Sequence, residues 1–361
     1  MEFNYRWRLK NAIFTKDKGK VFSCFACGGG STMGYKLAGW DVIGINEIDK
    51  RMADIYMQNH NPKFAFIEGI QSFKNRTDLP QELYELDILD GSPPCSSFSM
   101  AGNREKDWGK LKKFNEGQAE QILDTLFFDF IDLAEKLQPK VVVAENVSGI
   151  LKGNAREYVR KILKAFDAAG YLVQEFELDS SQMEVPQRRE RVFFIAVRKD
   201  LASKLPMPQG LLFCDFPRLN MKFGRTHIPF KEIRSKGLND APWTDHDQHI
   251  WDKRIIGDRT YASTLQRIEN RDSNFNASYV YPDRAVCSVV SSQGSKLTLF
   301  DEPRQMNSQE LLLAQSFPLD YNFLSDTYSK KKYVLGMSVP PVMMAHLAKR
   351  LHSEWIEIFK K

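Results

Sequence analysis

The sequence predicts an α/β fold, a mostly parallel sheet with flanking helices, joined to a smaller irregular region. Three observations predict it. Short apolar runs alternate with helical stretches over residues 20–198, which is the pattern of βα units. A glycine turn, Cys27-Gly28-Gly29-Gly30, follows the first run. From about Lys199 to residue 303 the alternation stops, and Pro, Gly, Asn, Asp and Trp break the chain into short segments.

Totals set the outer limits. A chain of 361 residues makes one large or two ordinary domains, and 42% hydrophobic content with 12% aromatic supplies a core. A net charge of +5 is compatible with a polyanion partner without demanding one. No apolar run has the length of a membrane span, and the N-terminus carries no signal-peptide core. These features predict a cytoplasmic protein. Five cysteines, an odd number in a long chain, predict reduced thiols rather than a disulfide framework.

Taken in order, residues 1–18 read as a short polar arm. A strand over Lys20–Ala26, the glycine turn, a helix and the strand Asp41–Asn46 then form a nucleotide-binding βαβ pattern. Glycines 28, 29 and 30 let backbone approach a ligand at a helix start, and Glu47 stands where such units grip a ribose diol. The turn lacks GxGxxG spacing, which disfavours a dinucleotide and leaves room for another adenosyl cofactor. Cys24 and Cys27 form a CxxC, but no second pair accompanies them as a metal or redox reading requires. A helix over 54–60 and a third strand over 64–67 follow.

The run Leu86–Leu89 then breaks at Gly91-Ser92-Pro93-Pro94, so Cys95 sits just past a strand end on a stiff turn. A thiol there suits a nucleophile, because open α/β sheets bind ligands at strand C-termini; a small buried hydrophobe is the alternative. Residues 96–118 read as a closing lid with basic contacts from Arg104, Lys106 and Lys110, or as a solvated loop. Residues 118–137 give an amphipathic helix ended by Pro139, and 140–144 a buried strand carrying Glu145 and Asn146 at its end. That carboxylate is either an acid partner for the thiol or a helix cap. A helix over 155–169 and a strand over 171–178 lead to Gln187-Arg188-Arg189-Glu190-Arg191, whose arginines suit phosphate or base-edge contacts or an ion-paired edge.

Over 200–303 basic and aromatic residues interleave, among them Arg234, Trp243, Trp251, Lys253, Arg254, Arg259 and Arg267, as on a face for a polyanion. Asp245-His246-Asp247-Gln248-His249 reads as a solvated turn rather than a metal site. Gly336 to Pro341 makes a turn before a long helix that returns to the first domain. The divisions are therefore 1–199, 200–318 and 319–361.

In this order the motifs resemble the cytosine-C5 DNA methyltransferase family of bacteria and phages, over about residues 20–355. FACGGG resembles its cofactor loop, NEID its ribose grip, GSPPCSSFSMAG its Pro-Cys loop, ENVSG its Glu-Asn-Val element, and QRRER its Gln-x-Arg-x-Arg element. TLFFDF resembles the helix that packs on the cofactor through Leu126, the run from Arg304 to Pro318 the element after the target-recognition region, and GMSVPP the final cofactor-binding turn. Cys27, Ser23, Gly69, Met337 and Cys287 depart from the family's usual glycine, aspartate, adenine-contacting aspartate, asparagine and threonine. The resemblance implies a Rossmann-like S-adenosylmethionine-dependent methyltransferase fold with a target-recognition domain at 200–318.

It also implies roles. Cys95 adds to C6 of a flipped-out cytosine, Glu145 holds the N3/N4 edge, Arg191 binds the O2 side, and Arg189 holds the loop or a phosphate. Phe25, Ala26, Gly28, Gly29, Gly30, Glu47, Ile48, Ile70, Pro94, Leu126, Ser338 and Val339 bind S-adenosylmethionine. Ser96, Ser97, Arg104 and Lys106 touch DNA. The implied partner is double-stranded DNA, read by a monomer in a bacterial cell or phage-infected host. A restriction endonuclease acts separately, and no metal takes part.

Overall fold

A computed structural model describes residues 2–94, 125–152, 155–206, 216–272, 277–292 and 294–360. The candidates Cys95, Ser96, Ser97, Arg104 and Lys106, and the expected lid, lie outside the described residues. Contacts divide the chain into two units: Ile13–Leu178, Glu190–Lys222 and Met344–Lys361 in one, and Met1–Ala12, Asp179–Arg189 and Phe223–Met343 in the other.

The first unit is built on a seven-stranded sheet. In chain order its elements are β1 (Lys20–Cys24), α1 (Gly30–Leu37), β2 (Asp41–Asn46), α2 (Lys50–His60), β3 (Phe64–Phe66), α3 (Ile70–Lys74), β4 (Ile88–Gly91), α4 (Leu126–Leu137), β5 (Val141–Val147), α5 (Ala155–Ala168) and β6 (Tyr171–Asp179). β7 (Gln187–Arg188) belongs to the other unit, and β8 (Glu190–Arg198) returns to the sheet. The strand order is β3-β2-β1-β4-β5-β8-β6, with β1 to β5 parallel to their neighbours and β8 antiparallel to β5. The expected mostly parallel sheet with flanking helices is the one found.

The sequence dictates this locally. Val141, Val142, Val143 and Ala144 are fully buried, as a strand covered on both faces requires. Asp49 caps α2 by accepting from the amides of Arg51 (2.9 Å) and Met52 (3.3 Å). Leu126, Phe127, Phe130, Leu133 and Leu137 recur at helical spacing along α4 and enter the main core with Phe22, Leu89 and Phe194.

Register aligns the strand ends. Cys24 pairs with Asn46 on one side and Gly91 on the other; Asn46 pairs with Phe66, and Gly91 with Ala144. Consequently the glycine turn, Glu47, Glu68–Ile70 and Ser92–Pro94 all leave one end of the sheet, and Glu145, still within β5, lies next to the Gly91–Ala144 pair at that end. Strand order reverses between β1 and β4, and the crevice outside such a switch point is where open α/β sheets hold ligands.

The second unit carries α7 (Asp245–Asp252), α8 (Tyr261–Glu269), β9 (Ala277–Val280), β10 (Val286–Cys287), β11 (Lys296–Leu299), α9 (Ser308–Ala314) and α10 (Tyr328–Met337), after a short α6 (Lys199–Ala202) on the first. Its strands form two two-stranded parallel sheets, β10-β7 and β11-β9. Its compact core is Ile250, Tyr261, Leu265, Ala277 and Tyr279. Polar structure does the rest. Thr244, Thr260 and Asn307 form capping boxes, and Arg304 clamps Glu310 through two bonds of 2.8 and 2.9 Å. α11 (Pro341–Leu351) follows.

Two expectations are corrected here. Asp245–His249 is not a solvated turn but the start of α7: Asp247 is fully buried, completes Thr244's capping box and pairs with Lys296 at 2.6 Å. The start of the supposed polar arm is docked: Tyr5 is buried, Trp7 Nε1 donates to Ser316 O at 2.9 Å, and Leu9 N donates to Asp320 at 2.7 Å. No helix among the described residues is long and apolar enough to cross a membrane.

Candidate active site

The turn after β1 is tightly held. Phe25 and Cys27 both take positive φ, 53° and 49°, a conformation that non-glycine residues adopt at a cost. Cys27 occupies a backbone position that suits glycine better. Gly29, at φ 79°, cannot be replaced cheaply: a Cβ there would meet His60 Nε2 at 2.5 Å. Burial, reinforced by neighbouring Lys36, pushes the His60 imidazole well below its ordinary value, so a neutral ring braces the turn. Thr32 and Tyr56 hydroxyls bond at 2.9 Å beneath it.

Glu47 is the latch of this region. It is buried, and its two oxygens accept from the amides of Cys27 and Asp49, each at 2.8 Å. Burial raises its carboxyl above the usual range while those amides oppose the rise. Asn46 Nδ2 donates to Glu68 O at 2.8 Å, tying the β2 end to the next turn. Ile48 then comes 3.6 Å from the position of a Cβ on Gly69. An acceptor carboxylate, the half-buried Phe25 and the apolar Ile48 and Ile70 thus gather at one sheet edge. This donor set fits an adenosyl group: acceptor oxygen for a diol, apolar surface for a base.

The other expected cofactor contacts are buried or half-buried. Ala26 is buried with Ile45 and Tyr56. Ile70 and Leu126 are nearly fully buried members of the main core. Pro94 is half-buried at the end of the described segment. Ser338 and Val339 are buried in the other unit. Cys24 lies inside β1, and burial raises its thiol well above the ordinary value, which keeps it un-ionised.

Near the end of β5, Glu145 Oε1 accepts from Arg191 Nε at 2.8 Å, both side chains being largely buried. Burial draws Arg191 below its ordinary value while Glu145 opposes the shift. Asn146 Nδ2 donates to Pro93 O at 3.1 Å, fastening the β5 end to the segment that precedes position 95. The pair presents an acceptor and a cation side by side, a match for the edge of a heterocycle. Arg189 points into its own unit, donating to Val289 O at 2.7 Å and Gly336 O at 2.8 Å.

One group was not singled out from sequence. Asp90, fully buried on β4, sits in register with Ser23 on β1 and accepts from Ser23 Oγ at 2.8 Å and Tyr35 OH at 3.3 Å. Burial raises its carboxyl to about 7, with Glu145's charge adding to the effect. A carboxylate ending an apolar strand, Ile88-Leu89-Asp90, was the available signal.

Comparison with known proteins adds to this geometry. Residues 19–353 match the family model for C-5 cytosine-specific DNA methylase. The chain is 33% identical over 384 residues to the type II methyltransferase M.DdeI of Desulfomicrobium norvegicum, covering 92% of this chain and 88% of that protein. It is 36% identical over 204 residues to the type II methyltransferase M.NgoPII of Neisseria gonorrhoeae, where the match spans 56% of this chain and about half of the relative, 55%. A solved structure of a Spodoptera frugiperda DNMT2 mutant superposes with a TM-score of 0.61 at 19% identity, covering 92% of this chain and 99% of that one, a likeness of fold.

Proposed function

Because the chain belongs to the C-5 cytosine-specific DNA methylase family, we propose that it methylates C5 of a cytosine flipped out of duplex DNA, through a covalent bond between Cys95 and C6. The observation that carries this reading is the Glu145–Arg191 pair at the β5 end. It stands one strand from the β4 end, four residues before Cys95.

Cytosine C5 is a poor nucleophile until a thiolate adds at C6. Cys95 sulfur forms that bond. Glu145 holds the N3/N4 edge and favours a proton at N3, offsetting the charge that develops in the ring, while Arg191 holds the O2 side. Glu47, with Phe25, Ile48 and the glycine turn, would hold S-adenosylmethionine, whose sulfonium would supply the methyl group to C5 and leave as the neutral thioether. A base then takes the C5 proton, and the C6–sulfur bond breaks with its electron pair going to sulfur, returning the thiolate. Flipping costs a few kcal/mol, recovered in the pocket and the groove. The unit containing 223–343 would read the DNA, and Ser96, Ser97, Arg104 and Lys106 would touch it. A bacterial modification setting, with an endonuclease acting separately, fits this role.

The test supplies a labelled methyl donor with duplex DNA in one arm and transfer RNA in the other. Label on cytosine C5 of DNA, lost in Cys95→Ala, is expected. Label on transfer RNA alone would overturn the choice of substrate.

A further inference from the structure

Among the exposed large apolar side chains of the second unit, Ile256 is the most exposed. Ile256 is 89% exposed and its neighbour Ile255 51% exposed. The turn that presents them is built to hold its shape. Asp258 N donates to Ile255 O at 3.1 Å and Ile255 N to the Asp258 carboxylate at 3.1 Å. That carboxylate, itself buried, also accepts from Thr264 Oγ1 and Arg267 Nη2, each at 2.9 Å. Tyr281 OH donates to Asp258 O at 2.6 Å. Beneath the turn, Arg254 lies 3.2 Å from the Trp251 ring centroid and donates to Trp251 O at 2.7 Å, while Tyr281 and Phe300 stack at 4.3 Å.

Two adjacent exposed isoleucines on a held turn form a small apolar patch, and an apolar patch with a polar rim is the kind of surface that marks an interaction site. The charges around it indicate what binds there. Lys253 and Arg259 are exposed on either side. Of the nearby acids, Asp258 is spent on Arg267, and Asp252 accepts from Gln248 at 2.8 Å. An apolar tip between exposed cations matches a nucleic-acid groove, where apolar side chains meet thymine methyls or wedge between base steps and cations meet phosphates.

We propose that the turn 253–259 is a groove-reading element, with Ile256 making apolar contact with the bases of duplex DNA and Lys253 and Arg259 seated on flanking phosphates. The inference rests on the DNA reading above and names the residues that give it sequence preference.

The test first maps the modified word by bisulfite sequencing of DNA from cells expressing the full chain. Purified wild type, Ile256→Ala, Ile256→Asp, the double variant Lys253→Ala/Arg259→Ala and the control Ile13→Ala are then assayed on a duplex bearing the word and on a scrambled duplex. Ile13 is equally displayed, at 87% exposure, in the other unit. Ile256→Ala should lower kcat/KM on the word-bearing duplex about tenfold, and Ile256→Asp more, with binding to the scrambled duplex unchanged. The double variant should weaken both duplexes alike and flatten the salt dependence by roughly two phosphate contacts. Ile13→Ala should match wild type. Wild-type rates and affinities in Ile256→Asp would overturn the proposal, as would a change in the protein's own sedimentation without a change on DNA, which would make the tip a contact between copies. A wild type that modifies no duplex DNA would defeat the underlying reading instead, and with it this one.

Discussion

Arg191 Nε donates to Glu145 Oε1 at 2.8 Å across β8 and β5, where Arg191 lies opposite Val147 and Phe193 opposite Glu145. Removing one partner of such a pair strands a buried charge. Arg191→Ala should therefore cost about 3–5 kcal/mol of stability in a denaturant titration. Glu145→Gln keeps an acceptor oxygen but loses the charge that favours a proton on the bound ring. Its kcat should fall by about 10²–10⁴ with duplex binding retained; an unchanged kcat would remove Glu145 from the chemistry.

Asp90 makes stability depend on pH in an unusual direction. Its carboxyl is raised from 3.8 to about 7 in the folded chain. Between those values the folded state holds a proton that the unfolded state has released. The stabilising contribution is therefore full below about pH 4 and is lost as pH rises through 7. Asp90→Asn should gain on wild type by up to about 4 kcal/mol between pH 4 and pH 8, read as the pH dependence of the unfolding midpoint. Parallel profiles for the two proteins would show that Asp90 does not titrate.

Glu47 accepts from two turn amides and is the proposed grip on the cofactor's diol. Glu47→Ala removes a charged acceptor, a change that costs roughly 10- to 100-fold in affinity. Calorimetric titration with S-adenosylmethionine in the absence of DNA should show that loss, and wild-type affinity would exclude the role.

Gly336 accepts from Arg189 at 2.8 Å, and a Cβ on it would press into the backbone of Val290 and Ser291. Neither backbone nor a held arginine can yield easily. Gly336→Ala should lower stability by about 1–3 kcal/mol, whereas Gly294→Ala, with no atom nearer than 4.0 Å, should be near neutral by thermal melting.

The sheet was legible because buried parallel strands are written as unbroken apolar runs, Val141 to Ala144 above all, and because the glycine turn and Pro93-Pro94 mark the strand ends. Less visible were features set by partners far along the chain. Trp7 finds Ser316, and Arg189 finds Val289 and Gly336; no local pattern encodes such bonds. The arginines of the 187–191 run looked alike in sequence, yet Arg189 serves backbone carbonyls and Arg191 a carboxylate. Asp247 has one partner close by, Thr244, whose capping box starts α7, and one, Lys296, 49 positions away that no local pattern encodes. Ser23 and Asp90 meet only because β1 and β4 are neighbours in the sheet.

The most direct measurement is covalent capture. Full-length protein is incubated with S-adenosylmethionine and duplex DNA carrying 5-fluorocytosine in the mapped word, where fluorine at C5 cannot leave as a proton and the C6–sulfur bond cannot break. A denaturant-resistant protein–DNA adduct attached at Cys95, and absent from Cys95→Ala, is expected. An adduct that persists in Cys95→Ala, or methyl transfer at the wild-type rate by that variant, would contradict the covalent mechanism.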